Sequence, residues 1–140
     1  MLIMCFDYGT KNIGVSIGQL ITHTSYPLKS IQMFKKKINW IAINKIINEW
    51  KPAKIIVGNP LNMNGNKQKM NFLVNEFVKL LYKKTKIPII LHDERLTTVE
   101  AKHILFNEKK GFKSLSKNMV NSVSSLIILN SWLYQLTNKK

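Results

Sequence analysis

The sequence is poor in acidic residues, cysteine and arginine. Seven Asp and Glu stand against 22 Lys and Arg, Cys5 is the one cysteine, and Arg95 is the one arginine. A single cysteine excludes an internal disulfide. No apolar run approaches the roughly 20 residues that cross a bilayer. The apolar segment 1–6 is too short for a signal peptide and has no basic residues before it. We therefore expect a cytoplasmic protein.

The composition also argues against a disordered, collagen-like or multidomain chain. Hydrophobic residues make up 45% of the 140 residues and charged residues 21%, which is a globular composition. There is no internal repeat and no linker rich in proline, glycine or serine. Because this length is typical of one domain, we expect a single domain over residues 1–140.

The net charge of +15 is the most informative feature of the composition. A field of this strength attracts polyanions, and nucleic acid is the partner that it favours. Lysine supplies nearly all of the positive charge, in a chain that is also rich in Asn and Ile. Part of the charge could therefore reflect compositional drift, and solvated surface lysines are the alternative interpretation.

Three strands are predicted in the first part of the chain. Residues 2–6 form a continuous apolar run, which is typical of a strand buried on both faces. Residues 13–17 alternate between apolar and small or polar side chains after a turn at 9–12, so these two segments predict a hairpin. A third strand is expected within residues 21–33, where Pro27 favours an edge or interrupted strand.

Helices and strands alternate in the rest of the chain. Caps and apolar spacing predict a helix from Asn39 to Pro52, a buried strand at 55–57, a helix over 70–81, a buried strand at 87–91, a helix capped by Thr97 and Glu100, and a final helix from Ser116 to about Leu136. This order predicts an α/β fold with a mixed five-stranded sheet and helices on both faces.

Carboxylates follow two of the apolar runs. Asp7 comes directly after the first run, and Asp93 and Glu94 follow a later one. Ligands of such sheets bind at the carboxyl ends of the parallel strands, and a hard divalent cation is a good partner for carboxylates that meet there. The alternative is structural, with Asp7 capping the turn at Gly9 and Asp93 or Glu94 paired with Arg95.

The hairpin motif Asp7-Tyr8-Gly9-Thr10 occurs in two unrelated classes of protein. In ribonuclease H-like nucleases its Asp binds metal, whereas in actin-like and sugar-kinase ATPases the loop binds phosphate. ATPases of that kind need two such domains with a nucleotide between them, which 140 residues cannot supply. The nuclease interpretation is therefore favoured, and a phosphate-loop ATPase is the weaker alternative.

Three segments carry a family resemblance, namely FDYGTKNIGV at 6–15, IVGNPLNMNG at 56–65 and HDERLTTVEA at 92–101. They resemble the YqgF family, pre-16S rRNA nucleases that are also described as Holliday-junction resolvase-like proteins. The resemblance covers nearly the whole chain in the same order. It implies a ribonuclease H-like fold, Mg²⁺ or Mn²⁺ as cofactor and phosphodiester hydrolysis. The implied substrate is structured RNA at the 5′ end of pre-16S rRNA, with branched DNA as the alternative.

The resemblance assigns the catalytic and metal-binding positions to Asp7, Glu94 and Asn121, with Asp93 as a weaker candidate. The family has an Asp four residues after a Lys in the last helix, and here Asn121 follows Lys117, about one turn inside the predicted helix. An Asn still offers a carbonyl oxygen, but the site then carries two formal negative charges rather than three, so we expect weaker Mg²⁺ binding. Drift is the alternative explanation in a chain with 15 Asn. The second functional hypothesis is therefore an RNA-binding ribosome-assembly factor that has lost catalysis.

Basic residues around these positions are expected to bind the nucleic-acid backbone. They are Lys11, Arg95, Lys102, Lys109, Lys110, Lys113 and Lys117. Other candidates have structural interpretations that carry more weight. We interpret Glu100 as part of a helix cap, His92 as a packed or capping residue, and Trp40, Trp50 and Trp132 as core residues.

Overall fold

The computed structural model describes residues 1–59, 65–93 and 122–137. Their elements are β1 (Leu2–Tyr8), β2 (Asn12–Gln19), β3 (Thr24–Gln32), α1 (Trp40–Trp50), β4 (Lys54–Asn59), α2 (Gly65–Thr85), β5 (Ile89–Asp93) and α3 (Val123–Thr137). The predicted helix capped by Thr97 lies outside the described residues. None of the helices described is long and apolar enough to cross a membrane.

The strands form one mixed sheet in the order β3-β2-β1-β4-β5. Neighbours in the β1-β2-β3 part are antiparallel, whereas β1 pairs parallel with β4 and β4 pairs parallel with β5. The predicted mixed five-stranded sheet is therefore confirmed. The outer position of β3 is confirmed as well, and it suits Pro27, which has no N–H to donate to a further strand.

The fifth strand differs from its prediction in both position and burial. It begins at Ile89 rather than at residue 87, because Pro88 has no N–H to donate to the ladder, and it continues through Asp93. β5 is also the last strand in the sheet order, and the side chain of Leu91 is 40% exposed. The prediction that 87–91 forms a buried strand is therefore wrong, because the run belongs to an edge strand.

Two apolar clusters lie on opposite faces of the sheet. On one face, Met4 and Phe6 of β1 share a cluster with residues of α1 and α2, including Ile43 and Phe77. On the other face, Ile3 and Cys5 share a cluster with residues of α3, including Leu129 and Trp132. Because successive side chains of a strand point to opposite faces, α1 and α2 cover one face and α3 covers the other. The predicted helices on both faces are confirmed.

Local capping sets the bounds of α1. The Oδ1 atom of Asn39 accepts a hydrogen bond from the Ala42 N–H at 3.2 Å, as the predicted cap requires. At the other end Lys51 adopts the left-handed conformation and its N–H bonds to the Ile47 carbonyl at 2.7 Å. Trp40, the first residue of the helix, stacks on Phe77 of α2 with ring centroids 5.8 Å apart. Its interpretation as a core residue is thus confirmed.

Serine side chains attach α3 to the sheet. The Ser122 hydroxyl accepts a hydrogen bond from the Val15 N–H at 3.0 Å, where the β2–β3 register shifts. The Ser122 carbonyl accepts the first helical bond, from the Leu126 N–H, so Ser122 caps the helix. The predicted helix start at Ser116 is therefore wrong for α3, because the bond to Val15 holds the cap at Ser122.

His92 joins β5 to the same helix. Its imidazole is buried and its Nε2 atom lies 3.0 Å from the hydroxyl of Ser131 in α3, with which it shares a hydrogen bond. Burial lowers the pKa of His92, and the negative charge of Asp93 opposes that shift in part. The structural interpretation of His92 is confirmed, since the buried ring packs between strand and helix.

The buried histidine makes stability depend on pH. Because the pKa of His92 is lower in the folded chain than its unfolded value of about 6.5, the unfolded chain binds the proton first as pH falls. Stability is therefore fully present above about pH 6.5 and is lost as pH falls through the folded pKa. We expect the free energy of unfolding to fall more steeply between neutral and weakly acid pH in the wild type than in His92→Gln. Urea unfolding at a series of pH values measures this difference, and parallel curves would contradict it.

Candidate active site

Asp7 lies near the carboxyl end of the central strand. It pairs with Gly14 of β2, and the preceding residue, Phe6, pairs with Val57 of β4. One step further along β4 is Gly58, which pairs with His92 of β5. The parallel strands β1, β4 and β5 therefore end at the same edge of the sheet, as predicted, and Asp7 belongs to that edge.

The side chain of Asp7 belongs to the face that α3 covers. Alternation along β1 places it with Ile3 and Cys5, both of which pack against α3. Its neighbours at this level of the sheet are glycines, Gly14 on β2 and Gly58 on β4. The residues level with the half-buried carboxylate on the adjacent strands therefore have no Cβ atom.

The start of α3 is held next to this carboxylate. Ser122 bonds to Val15, the residue that follows Gly14, and Gly14 is the strand partner of Asp7. The Ser122 hydroxyl is buried and the Ser125 hydroxyl donates to the Ser122 carbonyl at 2.8 Å, which fixes the first turn of the helix. Asn121 itself lies outside the described residues. The expectation that it stands one turn inside the final helix therefore also lies outside the described residues, within which α3 begins at Val123.

The two aspartates face opposite sides of the sheet. Asp93 ends β5 and pairs with Asn59 of β4. Because Ile90 and His92 lie on the α3 side, alternation along β5 places Asp93 on the side of α1 and α2. Asp93 therefore does not share a face of the sheet with Asp7. Glu94 and Arg95 lie outside the described residues.

The hairpin tip next to Asp7 needs glycine and carries a lysine. A Cβ atom on Gly9 would lie 2.7 Å from the Asn12 carbonyl oxygen, so no larger residue fits there without a shift of the backbone. Lys11 is exposed at the tip, and its carbonyl accepts a hydrogen bond from the Met33 N–H at 2.9 Å. Of the predicted nucleic-acid-binding residues, Lys11 is described and Lys102, Lys109, Lys110, Lys113 and Lys117 lie outside the described residues.

A cleft on the other side of β1 was not predicted. It has a volume of about 380 Å³ and is lined by Tyr8, Thr10, Met33, Lys36, Lys69, Met70 and Leu73. Burial raises the pKa of the Tyr8 hydroxyl above its usual value. These residues come from three separate parts of the sequence, and the lysine run at 35–37 was the one local signal that could have drawn attention to this region.

Among the described residues, Asp7 is the side chain whose fit to a divalent cation can be judged. Within residues 1–59, 65–93 and 122–137, no three Asp, Glu, His or Cys side chains come together as a group. Asp7 fits a hard divalent cation in chemistry and position, because a carboxylate at the end of a parallel strand with glycine on both sides suits an oxygen-ligated ion. The other residues assigned to the metal, Glu94 and Asn121, follow β5 and precede Ser122 in the sequence.

The chain is similar to known proteins over almost its whole length. Residues 1–135 match the RuvX family, which is described as "Holliday junction resolvase". Proteins named "Putative pre-16S rRNA nuclease" from Buchnera aphidicola subsp. Baizongia pistaciae and from Wigglesworthia glossinidia brevipalpis are 53% and 50% identical to it. Each alignment covers 99% of this chain, with 100% of the first relative and 96% of the second.

A solved structure has a similar fold. RuvC of T. thermophilus, in complex with a Holliday junction substrate, superposes with a TM-score of 0.65, 12% sequence identity and coverage of 99% of this chain and 97% of that one. At this identity the likeness concerns the fold, and the predicted ribonuclease H-like fold is confirmed. The match over residues 1–135 also confirms the resemblance that the three sequence segments carry. The chain belongs to the RuvX family, of which YqgF is the other name.

Proposed function

We propose that this chain is a metal-dependent nuclease that processes the 5′ end of pre-16S rRNA, acting as a single ribonuclease H-like domain over residues 1–140. The observation that carries the proposal is the position of Asp7, a carboxylate at the end of the central strand, flanked by Gly14 and facing the start of α3. The names of relatives at 53% and 50% identity support the RNA substrate. Such a substrate would place the protein in the cytoplasm.

In this proposal, Asp7, Glu94 and Asn121 are the catalytic and metal-binding residues. Bound Mg²⁺ or Mn²⁺ would activate the attacking water and stabilise the leaving oxygen. The chain's own contribution is positional. The Ser122–Val15 hydrogen bond holds the residue that follows Asn121 beside the strand partner of Asp7, which supports the assignment of position 121. Lys11, Arg95, Lys102, Lys109, Lys110, Lys113 and Lys117 would bind backbone phosphates.

Two other functions remain as outcomes of the experiments. Asn in place of Asp at position 121 favours an RNA-binding factor with impaired catalysis, because it removes one negative charge from the ligand set. The other function is that of a resolvase, whose substrate is a four-way DNA junction. Incubation of the purified protein with pre-16S rRNA and with a four-way junction, each with and without Mn²⁺, separates these outcomes from the proposed one.

Replacement of Asp7 by Asn should abolish cleavage. Outer-shell partners of metal ligands already contribute about 10- to 100-fold, so loss of a direct ligand should lower the rate by at least about 100-fold. The matched control is Asp93→Asn, the same change on the opposite face of the sheet, which should retain most of the activity. Cleavage of pre-16S rRNA with Mn²⁺ measures both variants. Equal rates for wild type and Asp7→Asn would exclude Asp7 as a ligand.

Replacement of Asn121 by Asp should strengthen metal binding and raise the cleavage rate by at least about tenfold, since the third ligand regains its charge. It should also lower the melting temperature without metal, because three carboxylates then repel one another. Ser124→Asp adds the same charge at an exposed position of α3 and serves as the control. If Asn121→Asp gains neither activity nor metal affinity, residue 121 is not a ligand.

RNA binding should weaken linearly with the logarithm of the salt concentration, with a slope of about 0.7 to 0.9 per phosphate contacted. Lys11→Gln should reduce that slope by about 0.7 to 0.9, as loss of one phosphate contact does. Lys79→Gln is the matched control, because Lys79 lies 3.7 Å from the Glu76 carboxylate on the surface of α2. Titrations at several salt concentrations test this, and binding that does not change with salt would contradict it.

A further inference from the structure

The turn between β3 and α1 holds two lysines in an unfavourable backbone conformation. The backbones of Phe34 and Lys37 exchange two hydrogen bonds, at 3.1 and 2.9 Å, and thereby close a two-residue hairpin turn. Its central residues, Lys35 and Lys36, have φ values of 50° and 63°. Asn and Gly normally occupy these two positions, because Gly has no Cβ atom to clash at positive φ and the short polar side chain of Asn can hydrogen-bond locally there. Lys35 and Lys36 therefore occupy two positions at which their side chains make formation of the turn less favourable.

The same turn exposes an aromatic ring. The side chain of Phe34 is 72% exposed, and the ammonium of Lys35 lies 5.7 Å from its ring centroid. An exposed apolar ring contributes little to folding, since it buries almost no surface. An aromatic platform beside several cations is, however, the arrangement that binds single-stranded nucleic acid, through base stacking and phosphate contacts.

The cleft described above adjoins this turn. Lys36 belongs to both, and Met33, the residue before Phe34, lines the cleft and is hydrogen-bonded to Lys11 at the hairpin tip. The side chains of Met33, Met70 and Leu73 give the cleft an apolar lining, while Lys36 and Lys69 supply positive charge. Its volume of about 380 Å³ falls in the range of small-ligand sites, roughly 300 to 1,000 Å³. An apolar cavity with two cations suits a planar base with phosphates beside it.

We propose that the cleft and the Phe34–Lys37 turn bind a single-stranded stretch of nucleic acid, with one unpaired base in the cleft and a second base on the Phe34 ring. This proposal rests on the proposed function only for the identity of the nucleic acid that is bound. Tyr8 lines the cleft and Asp7 precedes it on the other face of β1, so a strand held here passes the sheet edge that carries Asp7. The site makes the protein select substrates with an unpaired segment next to the cleavage position.

Substitutions in the turn distinguish the contribution of the lysine charges to binding from their effect on the stability of the fold. The double variant Lys35→Asn with Lys36→Gly removes two charges and installs the residues that the turn prefers, so its melting temperature should rise. Its affinity for a short single-stranded RNA should fall, and the salt slope should decrease by about 1.4, which corresponds to two single-strand phosphate contacts. Unchanged affinity and slope would overturn the proposal.

The aromatic contact has its own pair of variants. Phe34→Ala should weaken binding of the single strand by about fivefold or more, as loss of one stacked base does. Tyr134→Ala, which removes a 56% exposed ring from α3 on the opposite side of the sheet, should bind as the wild type does. Leu73→Trp, which fills the cleft, should also weaken binding. Circular dichroism of each variant establishes that it is folded.

The measurements use oligonucleotides with a fluorescent 2-aminopurine base, in EDTA, so that binding is observed without metal-dependent cleavage. Single-stranded RNA and DNA should both bind more tightly than a duplex of the same length, and Phe34→Ala should reduce this preference. In cleavage assays Phe34→Ala should raise KM and leave kcat unchanged. Equal affinity for single strand and duplex in the wild type would overturn the proposal. Asp7→Asn should bind the single strand as the wild type does, whether or not it has lost cleavage, so that failure of the proposed function is distinguishable from failure of this site. Loss of single-strand binding in Asp7→Asn would overturn the placement of the site in the cleft and the turn.

Discussion

Burial of β1 on both faces is the constraint on which the rest of the structure depends. Ile3, Met4, Cys5 and Phe6 have no exposed surface, so helices must cover both sides of the sheet. The alternation of side chains between the two faces of β1 continues past Phe6 to Asp7 and Tyr8, which are only partly buried. It directs the carboxylate of Asp7 toward α3 and the ring of Tyr8 toward the cleft, against Phe77. The packing of these four apolar residues therefore places Asp7 on one face of the strand end and Tyr8 on the other.

The contact between α3 and the sheet combines apolar packing with specific polar bonds. Leu129 and Trp132 bury apolar surface, and a Cβ atom on Gly18 would lie 3.0 Å from a methyl of Leu129, so helix and strand approach closely there. Apolar contact alone would tolerate a helix shifted along its axis. The Ser122–Val15 hydrogen bond does not, because a shift would leave a buried N–H without its partner, at a cost of about 1 to 3 kcal/mol. The need of the buried Val15 N–H for a hydrogen-bond partner thus fixes the start of α3 next to Asp7.

Most of the fold could be predicted from the sequence, because hydrophobic periodicity is a local property. The strands, α1 with its Asn39 cap and the position of Asp7 follow from patterns within single segments. The attachment of α3 to the sheet could not be found in this way, because it depends on a hydrogen bond between the Ser122 hydroxyl and the Val15 N–H, which is 107 residues away. The cleft was missed for the same reason, since its lining comes from three distant segments.

The scarcity of acid gives the strand-end edge its electrostatic character. With 22 cations and seven anions, most lysines cannot pair with a carboxylate, and Lys11, Lys36 and Lys69 lie around the edge that carries Asp7. Positive charge at this edge attracts a polyanion and repels a divalent cation. Each carboxylate repels the polyanion and attracts the cation. Among the described residues these lysines outnumber the carboxylates of Asp7 and Asp93, so the edge favours a nucleic acid over a free cation. If the proposed metal dependence holds, an ion would gain most at such an edge when the phosphates of a bound strand add their own oxygens and negative charge, so that strand and ion would bind best together.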